Sequence, residues 1–195
     1  MKTIVIATNN KHKLEEFEQL LKGYKFLTLG DVGFSEDVEE NGTTLAENAK
    51  IKALACYKFL RKNGLDYAVI ADDTGLFVNA LHGAPGIYSA RYAGNHDNQA
   101  NRQKLLKEME GKTNRSAYFE CDICYKDDEV EKIFVGRAFG KITTEIVGST
   151  EFGYDPIFLS DDLNKTFGEC DKEEKDAVSH RGRAANELKA FLSEK

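Results

Sequence analysis

Residues 67–73 read YAVIADD, five apolar positions in a row closed by two adjacent aspartates. A short run of that kind without polar alternation reads as a buried strand, which limits the chain to folds that cover a sheet. The aspartates then mark the strand's carboxyl end, the place where open α/β sheets bind ligands. Ionising Asp72 and Asp73 side by side costs repulsion unless a cation or hydrogen-bond donors compensate. A hard divalent cation would do so, because Mg²⁺ usually takes one or two carboxylates along with substrate phosphates and keeps some waters. The plainer alternative is an aspartate pair that caps loop backbone groups, since aspartate is also a common turn former.

Strand and helix patterns alternate early in the chain. TIVIAT, residues 3–8, is a second short buried strand; Leu14, Phe17, Leu20 and Leu21 then recur at helical spacing up to Gly23, with Asn9 or Asn10 placed to cap. Further helices are expected from about Thr44 to Lys62, stopping at Gly64, and from about Asp97 to Gly111, with Leu105, Leu106 and Met109 facing inward. The middle, from Ser116 to about Ile146, is rich in strands, and RGRAANELKAFLSEK closes the chain as an amphipathic helix. Pro85 and Pro156 are expected in loops. The class is therefore α/β with a mixed sheet. With 195 residues and 41% hydrophobic composition there is material for one sizeable core, so residues 1–195 are expected as a single domain.

Lys plus Arg number 27 against 33 for Asp plus Glu, a net charge of -6 with a pI near 5.4, whereas binders of polymeric nucleic acid usually carry a basic face. Long DNA or RNA is not an expected partner. MKTIVIATNN turns polar too soon for a signal peptide, and no apolar run is long enough to span a bilayer. A cytoplasmic location without a membrane partner is expected. The four cysteines do not make a disulfide framework in a chain this long. Cys121 and Cys124 form a C-x-x-C, but SAYFECDICYK alternates like a strand, and a spacing of three sends the thiols to opposite faces, where they cannot share a metal.

Three further stretches carry chemistry. TNNKHK lies where the first strand feeds a helix, so free backbone N–H groups and the positive end of the helix dipole meet a hydroxyl, an amide and an ammonium from Thr8, Asn10 and Lys13. That is an anion cradle, although neither a Walker A loop nor a dinucleotide fingerprint; the alternative is an asparagine cap followed by solvated lysines. In EENGTTLAENAKIKA, Glu39 and Glu40 precede a turn at Asn41-Gly42, and the helix that follows carries Glu47 with Lys52 five residues on. Taken one by one these read as a solvated acidic face. FGYDPIF and EEKDAVSHRGRA supply an aromatic, a carboxylate, a His-Arg pair and a lysine, the parts of a pocket that stacks a planar base and hydrogen-bonds its edge. Alone, they also fit core phenylalanines, an Asp155 turn cap and the start of the last helix.

Together, TNNKHK, ENAKIKA, ADDTGL with GAPGIYSARYAG, FGYDPIF and SHRGRA stand in an order and spacing that closely resembles one family, from residue 3 to about residue 190. It is the noncanonical purine NTP pyrophosphatases, the inosine/xanthosine triphosphate pyrophosphatases of nucleotide-pool cleaning. The resemblance implies an elongated mixed β-sheet flanked by helices, two lobes with an active-site cleft between them, a homodimer, and Mg²⁺-dependent hydrolysis of ITP, dITP and XTP to the monophosphate and pyrophosphate. It matches Thr8, Asn9, Asn10, Lys11, His12 and Lys13 to the triphosphate-binding turn, with Lys52 as a further substrate contact. Asp73 matches the catalytic proton acceptor and a metal ligand, Glu40 an acidic metal position with Asp72 as an additional candidate, and Thr74 a substrate contact. Phe152, Gly153, Tyr154 and Asp155 match the base-binding loop, and Lys175, His180 and Arg181 match further substrate contacts. Two positions depart from the pattern: Thr74 stands where serine is usual, and Glu151 where glycine is usual.

Cleavage between the α- and β-phosphates needs an oriented water, a group to take its proton and positive charge on the departing pyrophosphate. Asp73, Mg²⁺ and Lys13 are expected to supply these. At an unperturbed value of about 3.9 an aspartate is a weak base, which assigns more of the work to the metal. A 6-keto oxygen accepts where the adenine amino group donates, so Arg181 is expected to favour hypoxanthine and xanthine over adenine, with the loop at Phe152 to Asp155 and the His180 edge disfavouring guanine. Two rivals stand beside this reading. A broader nucleotide phosphatase would release orthophosphate from the same cradle, and a regulatory nucleotide-binding module would have no need of Glu40, Asp72 and Asp73.

Overall fold

The computed structural model describes residues 3–195, with Met1 and Lys2 outside the described residues. The chain runs β1 (Thr3–Ile6), α1 (Lys11–Leu20), β2 (Lys25–Thr28), α2 (Leu45–Lys62), β3 (Ala68–Val78), β4 (Pro85–Gly86) and α3 (Asn98–Glu108). It continues through β5 (Ser116–Lys126), β6 (Glu131–Ile142), β7 (Phe158–Ser160), α4 (Lys172–Val178) and α5 (His180–Ser193). The strands form one mixed seven-stranded sheet in the order β2-β1-β3-β5-β6-β7, with β4 paired to β3. β1 is parallel to β2 and β3, Ile4 standing against Ala68 and Ile6 against Ile70, whereas β4 on β3 and β7 on β6 are antiparallel. The α/β class and the mixed sheet are as the sequence pattern predicts.

The chain gathers into two compact units: residues up to Asp73 with Cys121–Gly136 and Arg181–Lys195, and Thr74–Glu120 with Arg137–His180. In the first unit the two-residue period of the strands sorts the core. Ile4, Ile6 and Ile70 cluster with Phe17, Leu21, Ala184 and Leu188 from the α1 and α5 side. Val5, Val69 and Ala71 cluster with Ala49, Ala53, Cys56 and Leu60 of α2. Burying each large apolar side chain contributes about 1.5–3 kcal/mol. Cys121 belongs to the first cluster and Cys124 to the second, so the two thiols do face opposite ways. Asn10 caps α1 and Thr44 caps α2 through their side-chain oxygens. The second unit has its own core, in which Leu76, Val78, Phe119, Ala138 and Ile142 of the strands pack with Leu105 and Met109 of α3, Phe158 and Phe167.

Two expectations are corrected. β3 does not end at the aspartates but continues to Val78, placing Asp72 and Asp73 in mid-strand. The continuation is held from outside: Leu76 and Phe77 pair with Gly86 and Pro85 of β4. Gly75 is needed there, because a Cβ on it would lie 2.5 Å from the Gly86 carbonyl oxygen. Pro85 accordingly sits in a two-residue strand rather than a loop. β2, β7 and α4 are too short to show periodicity of their own, and their places are set by what they pair with or pack on.

Candidate active site

Within the first unit, the mid-strand position gives the aspartate pair its meaning, because successive side chains on a strand point to opposite faces. Asp72 is buried on the side of α1 and α5. Its Oδ2 lies 3.0 Å from the Lys13 ammonium and 3.1 Å from Nη2 of Arg181, whose other amino group donates to Glu16. Asp73 is turned toward α2. Its Oδ1 is 3.6 Å from the Lys52 ammonium, which also lies 3.0 Å from Glu40, and the Asn48 side chain hydrogen-bonds to it. Lys52 and Asn48 are one helical turn apart, which brings both to the same strand residue. Asn48 in turn accepts from the backbone N–H of Gly42 at 2.8 Å. A Cβ on Gly42 would sit 2.7 Å from that amide oxygen, so the residue after Asn41 must be this small for the acidic turn to close on α2.

The two carboxylates are driven in opposite directions. Burial pushes Asp72 up, but Lys13, Arg181 and Lys52 outweigh it and hold the carboxyl well below the usual carboxylate range. For Asp73 burial wins over the attraction of Lys52 and Lys13, and Glu40 adds repulsion, so its affinity for a proton is raised. Burial lowers Lys52, yet Asp73, Asp72 and Glu40 overcome that and raise it. Without a metal, Asp73 thus holds a proton more readily than an ordinary aspartate. Neighbouring carboxyls pushed apart in this way can divide their roles, one a fixed anion and the other a proton acceptor.

The TNNKHK turn is more self-contained than a bare anion cradle. Thr8 Oγ1 accepts from the Asn10 N–H at 3.1 Å, and Asn10 Oδ1 accepts from the N–H groups of His12 at 3.0 Å and Lys13 at 3.4 Å. The asparagine cap is therefore present, and Asn9, Lys11 and His12 are exposed beside it. Lys13 reaches the carboxylates from the first turn of α1. With all groups ionised, Glu16, Glu40, Asp72 and Asp73 outnumber Lys13, Lys52 and Arg181 by one negative charge. Among the described residues no three His, Cys, Asp or Glu side chains form a ready-made cage. The donors at Glu40 and Asp73 nevertheless fit Mg²⁺, which needs only one or two hard carboxylates and fills its other positions with water and phosphate oxygens.

The second unit holds Thr74, half-buried directly after Asp73, and the aromatic group. Asp155 opens a short 3-10 turn and its Oδ2 lies 2.6 Å from the Lys175 ammonium, whose charge also overlies the Phe152 ring at 4.8 Å from its centroid. The Tyr154 hydroxyl donates to the Ser89 carbonyl at 2.7 Å. His180 is buried and stacks on Phe119 with centroids 4.7 Å apart and planes 14° from parallel. Phe152, Gly153, Tyr154, Asp155, Lys175 and His180 thus share one unit, whereas Arg181 belongs to the other and is engaged with Glu16 and Asp72.

The sequence reading missed Glu16, Asn48, Arg102 and Phe119. Glu16 and Asn48 each stand at helical spacing from a key position, Glu16 three residues after Lys13 and Asn48 four before Lys52, which is the signal that could have found them. Phe119 belongs to the alternating SAYFECDICYK strand, with nothing local to mark it as the partner of His180.

A sequence model of the Ham1 family matches residues 4–191. A dITP/XTP pyrophosphatase of Clostridium perfringens is 45% identical over 199 residues, covering 98% of each chain, and one of Staphylococcus aureus is 45% identical over 194 residues, covering 98% of this chain and 97% of its own. The solved Ham1 protein of Staphylococcus aureus superposes with a TM-score of 0.89 at 44% identity over the whole of both chains. A nucleoside-triphosphatase / dITP/XTP pyrophosphatase from Mycobacterium abscessus gives 0.76 at 39% identity, covering 95% of this chain and 98% of its own. The span from residue 4 to residue 191 contains both charged faces of β3 and the whole aromatic group, and on that breadth of agreement the chain belongs to the Ham1 family.

Proposed function

We propose that this protein is a nucleoside-triphosphate pyrophosphatase that hydrolyses noncanonical purine nucleotides, ITP, dITP and XTP, to the monophosphate and pyrophosphate. The observation that carries the reading is the pair Asp72 and Asp73, adjacent on one strand and turned to opposite faces, the first paired with Lys13 and Arg181 and the second with Lys52. The dITP/XTP pyrophosphatases of similar sequence support the substrate class.

In this reading Asp73 takes the proton of the attacking water, a task for which its raised proton affinity suits it. Lys52 and Asn48 hold the carboxylate in place. Asp72, fixed as an anion by Arg181, keeps Lys13 at the N-terminal turn of α1, where the ammonium and the helix dipole meet the phosphate chain and steady the leaving pyrophosphate. Mg²⁺, held by Glu40 and Asp73, would supply neutralisation of the phosphate charge when bound; Asp72, turned to the other face of β3 and paired with Lys13 and Arg181, is not among its holders. Phe152 offers a planar surface to a purine, Tyr154 is buried behind it as part of the core, and Lys175, Asp155 and His180 offer polar groups to the purine edge. For Arg181 the observed partners favour the role of Asp72 anchor over that of base reader. The reading also takes the protein as a cytoplasmic homodimer, which sedimentation and cell fractionation check.

The deciding experiment measures pyrophosphate and orthophosphate separately across eight nucleotides, with and without Mg²⁺. Pyrophosphate from ITP, dITP and XTP that depends on Mg²⁺, with far less from ATP, is the expected result. Orthophosphate as the product would favour the broader phosphatase, and binding without turnover the regulatory module.

A further inference from the structure

We propose that Arg102 is a positioning residue for the base end of the substrate, acting through the loop that carries Phe152 and Tyr154. The inference rests on the proposed function and adds to it a residue outside every motif of the sequence reading. Arg102 lies on α3 within the second unit and is 4% exposed. Its Nη1 donates to the carbonyl of Gly153 at 2.6 Å and approaches that of Thr150 at 3.4 Å. No carboxylate among the described residues pairs with it, and its Nε has no hydrogen-bond partner. A guanidinium buried without an anion is costly, and the same helix fills its core positions with Leu105 and Met109. A leucine would have packed at less cost, so what this side chain contributes is the pair of carbonyl contacts.

Those carbonyls bracket Glu151 and Phe152. Gly153 has a φ of +20°, at the edge of the left-handed region, and stands between Phe152, whose ring the Lys175 ammonium overlies, and Tyr154, whose hydroxyl is tied to Ser89. Ser149, Tyr154 and Asp155 also tether this stretch, through the Gly168 carbonyl, the Ser89 carbonyl and Lys175, and the Asp155 N–H donates to the Phe152 carbonyl at 3.1 Å. Removing the Arg102 contacts frees the carbonyls on both sides of Phe152 and lets its ring leave the plane in which it meets a purine. The phosphate-handling residues of the first unit have no part in these contacts.

The test compares wild type, Arg102→Met and Arg102→Lys for ITP turnover and for competitive inhibition by inorganic tripolyphosphate, which has phosphates and no base. Loss of a charged donor at two carbonyls is expected to raise KM for ITP about tenfold or more in Arg102→Met. kcat should hold and the tripolyphosphate inhibition constant should be unchanged. Arg102→Lys, which keeps a cation at the site, should recover part of the affinity, and it carries the comparison if the methionine variant does not fold. A folded variant with wild-type KM, or one in which KM and the tripolyphosphate constant worsen together, overturns the inference. A wild type that hydrolyses no nucleotide overturns the proposed function as well, a result distinct from an active enzyme indifferent to the substitution.

Discussion

At the scale of single residues, the two aspartates make opposite predictions. Asp73 has a raised folded value, so its protonated form favours folding fully below the unfolded carboxylate value of about 3.9, and that contribution is lost as pH rises through the folded value. Asp73→Asn removes the loss. The variant should melt higher than wild type at neutral pH without metal and match it in acid, while kcat falls roughly a hundredfold or more for want of the base. Asp72 runs the other way: its lowered folded value contributes stability above the unfolded one, lost as pH falls through the folded one. Melting curves of wild type, Asp73→Asn and Asp72→Asn from neutral to acid pH check both signs. Arg181→Ala leaves Glu16 and Asp72 each short of a buried partner and should cost about 3–5 kcal/mol. The ITP-to-ATP ratio of kcat/KM in that variant tests the base-reading role; a narrowed ratio would restore Arg181 to the base edge. Glu151 stands where the resemblance leads one to expect glycine. It falls between the two carbonyls that Arg102 holds, so the loop's shape does not rest on local chain freedom alone.

At the scale of elements, the site is an intersection of β3, α1 and α2 within the first unit. α2 starts at the Thr44 cap, reinforced by Thr43, which donates to the Glu47 carboxylate and lowers its proton affinity. This accounts for Glu47 as a helix-start residue rather than a ligand. The turn before α2 closes through Gly42 and Asn48. Gly42→Ala should push Asn48 aside and misplace Asp73, and such displacement costs on the order of ten- to a hundredfold in kcat/KM with little change in helix content. Steady-state kinetics alongside circular dichroism check this, and a fully active alanine variant would show that Asn48 does not orient Asp73. The helices and long strands were readable because their apolar periods and caps lie within a few residues of one another. β3 was read short because Thr74-Gly75 looks like a turn from inside the segment; only β4, brought back to pair at Leu76 and Phe77, makes it strand.

For the whole molecule, Mg²⁺ supplies the most direct check on the charge arrangement. If it binds the folded protein at Glu40 and Asp73, mass action should stabilise wild type by about 2.7 kcal/mol at a hundred times the dissociation constant, and Asp73→Asn should lose that gain. Equal Mg²⁺ stabilisation of wild type and variant would place the metal elsewhere. By itself the sequence determined the α/β class, the faces of the core strands, the opposed cysteines and the motifs through which the family is recognisable, because each depends on residues close together in the chain or on their order along it. It could not determine what each charge meets. Lys13, Asp72 and Arg181 are joined, as are Glu40, Lys52 and Asp73, across separations of a dozen to more than a hundred residues, and Arg102 reaches a loop 51 residues further along the chain. Proton affinity and loop position follow from burial and from partners brought in by packing, so the raised Asp73, the lowered Asp72 and the Arg102 contacts were decided by the tertiary structure alone.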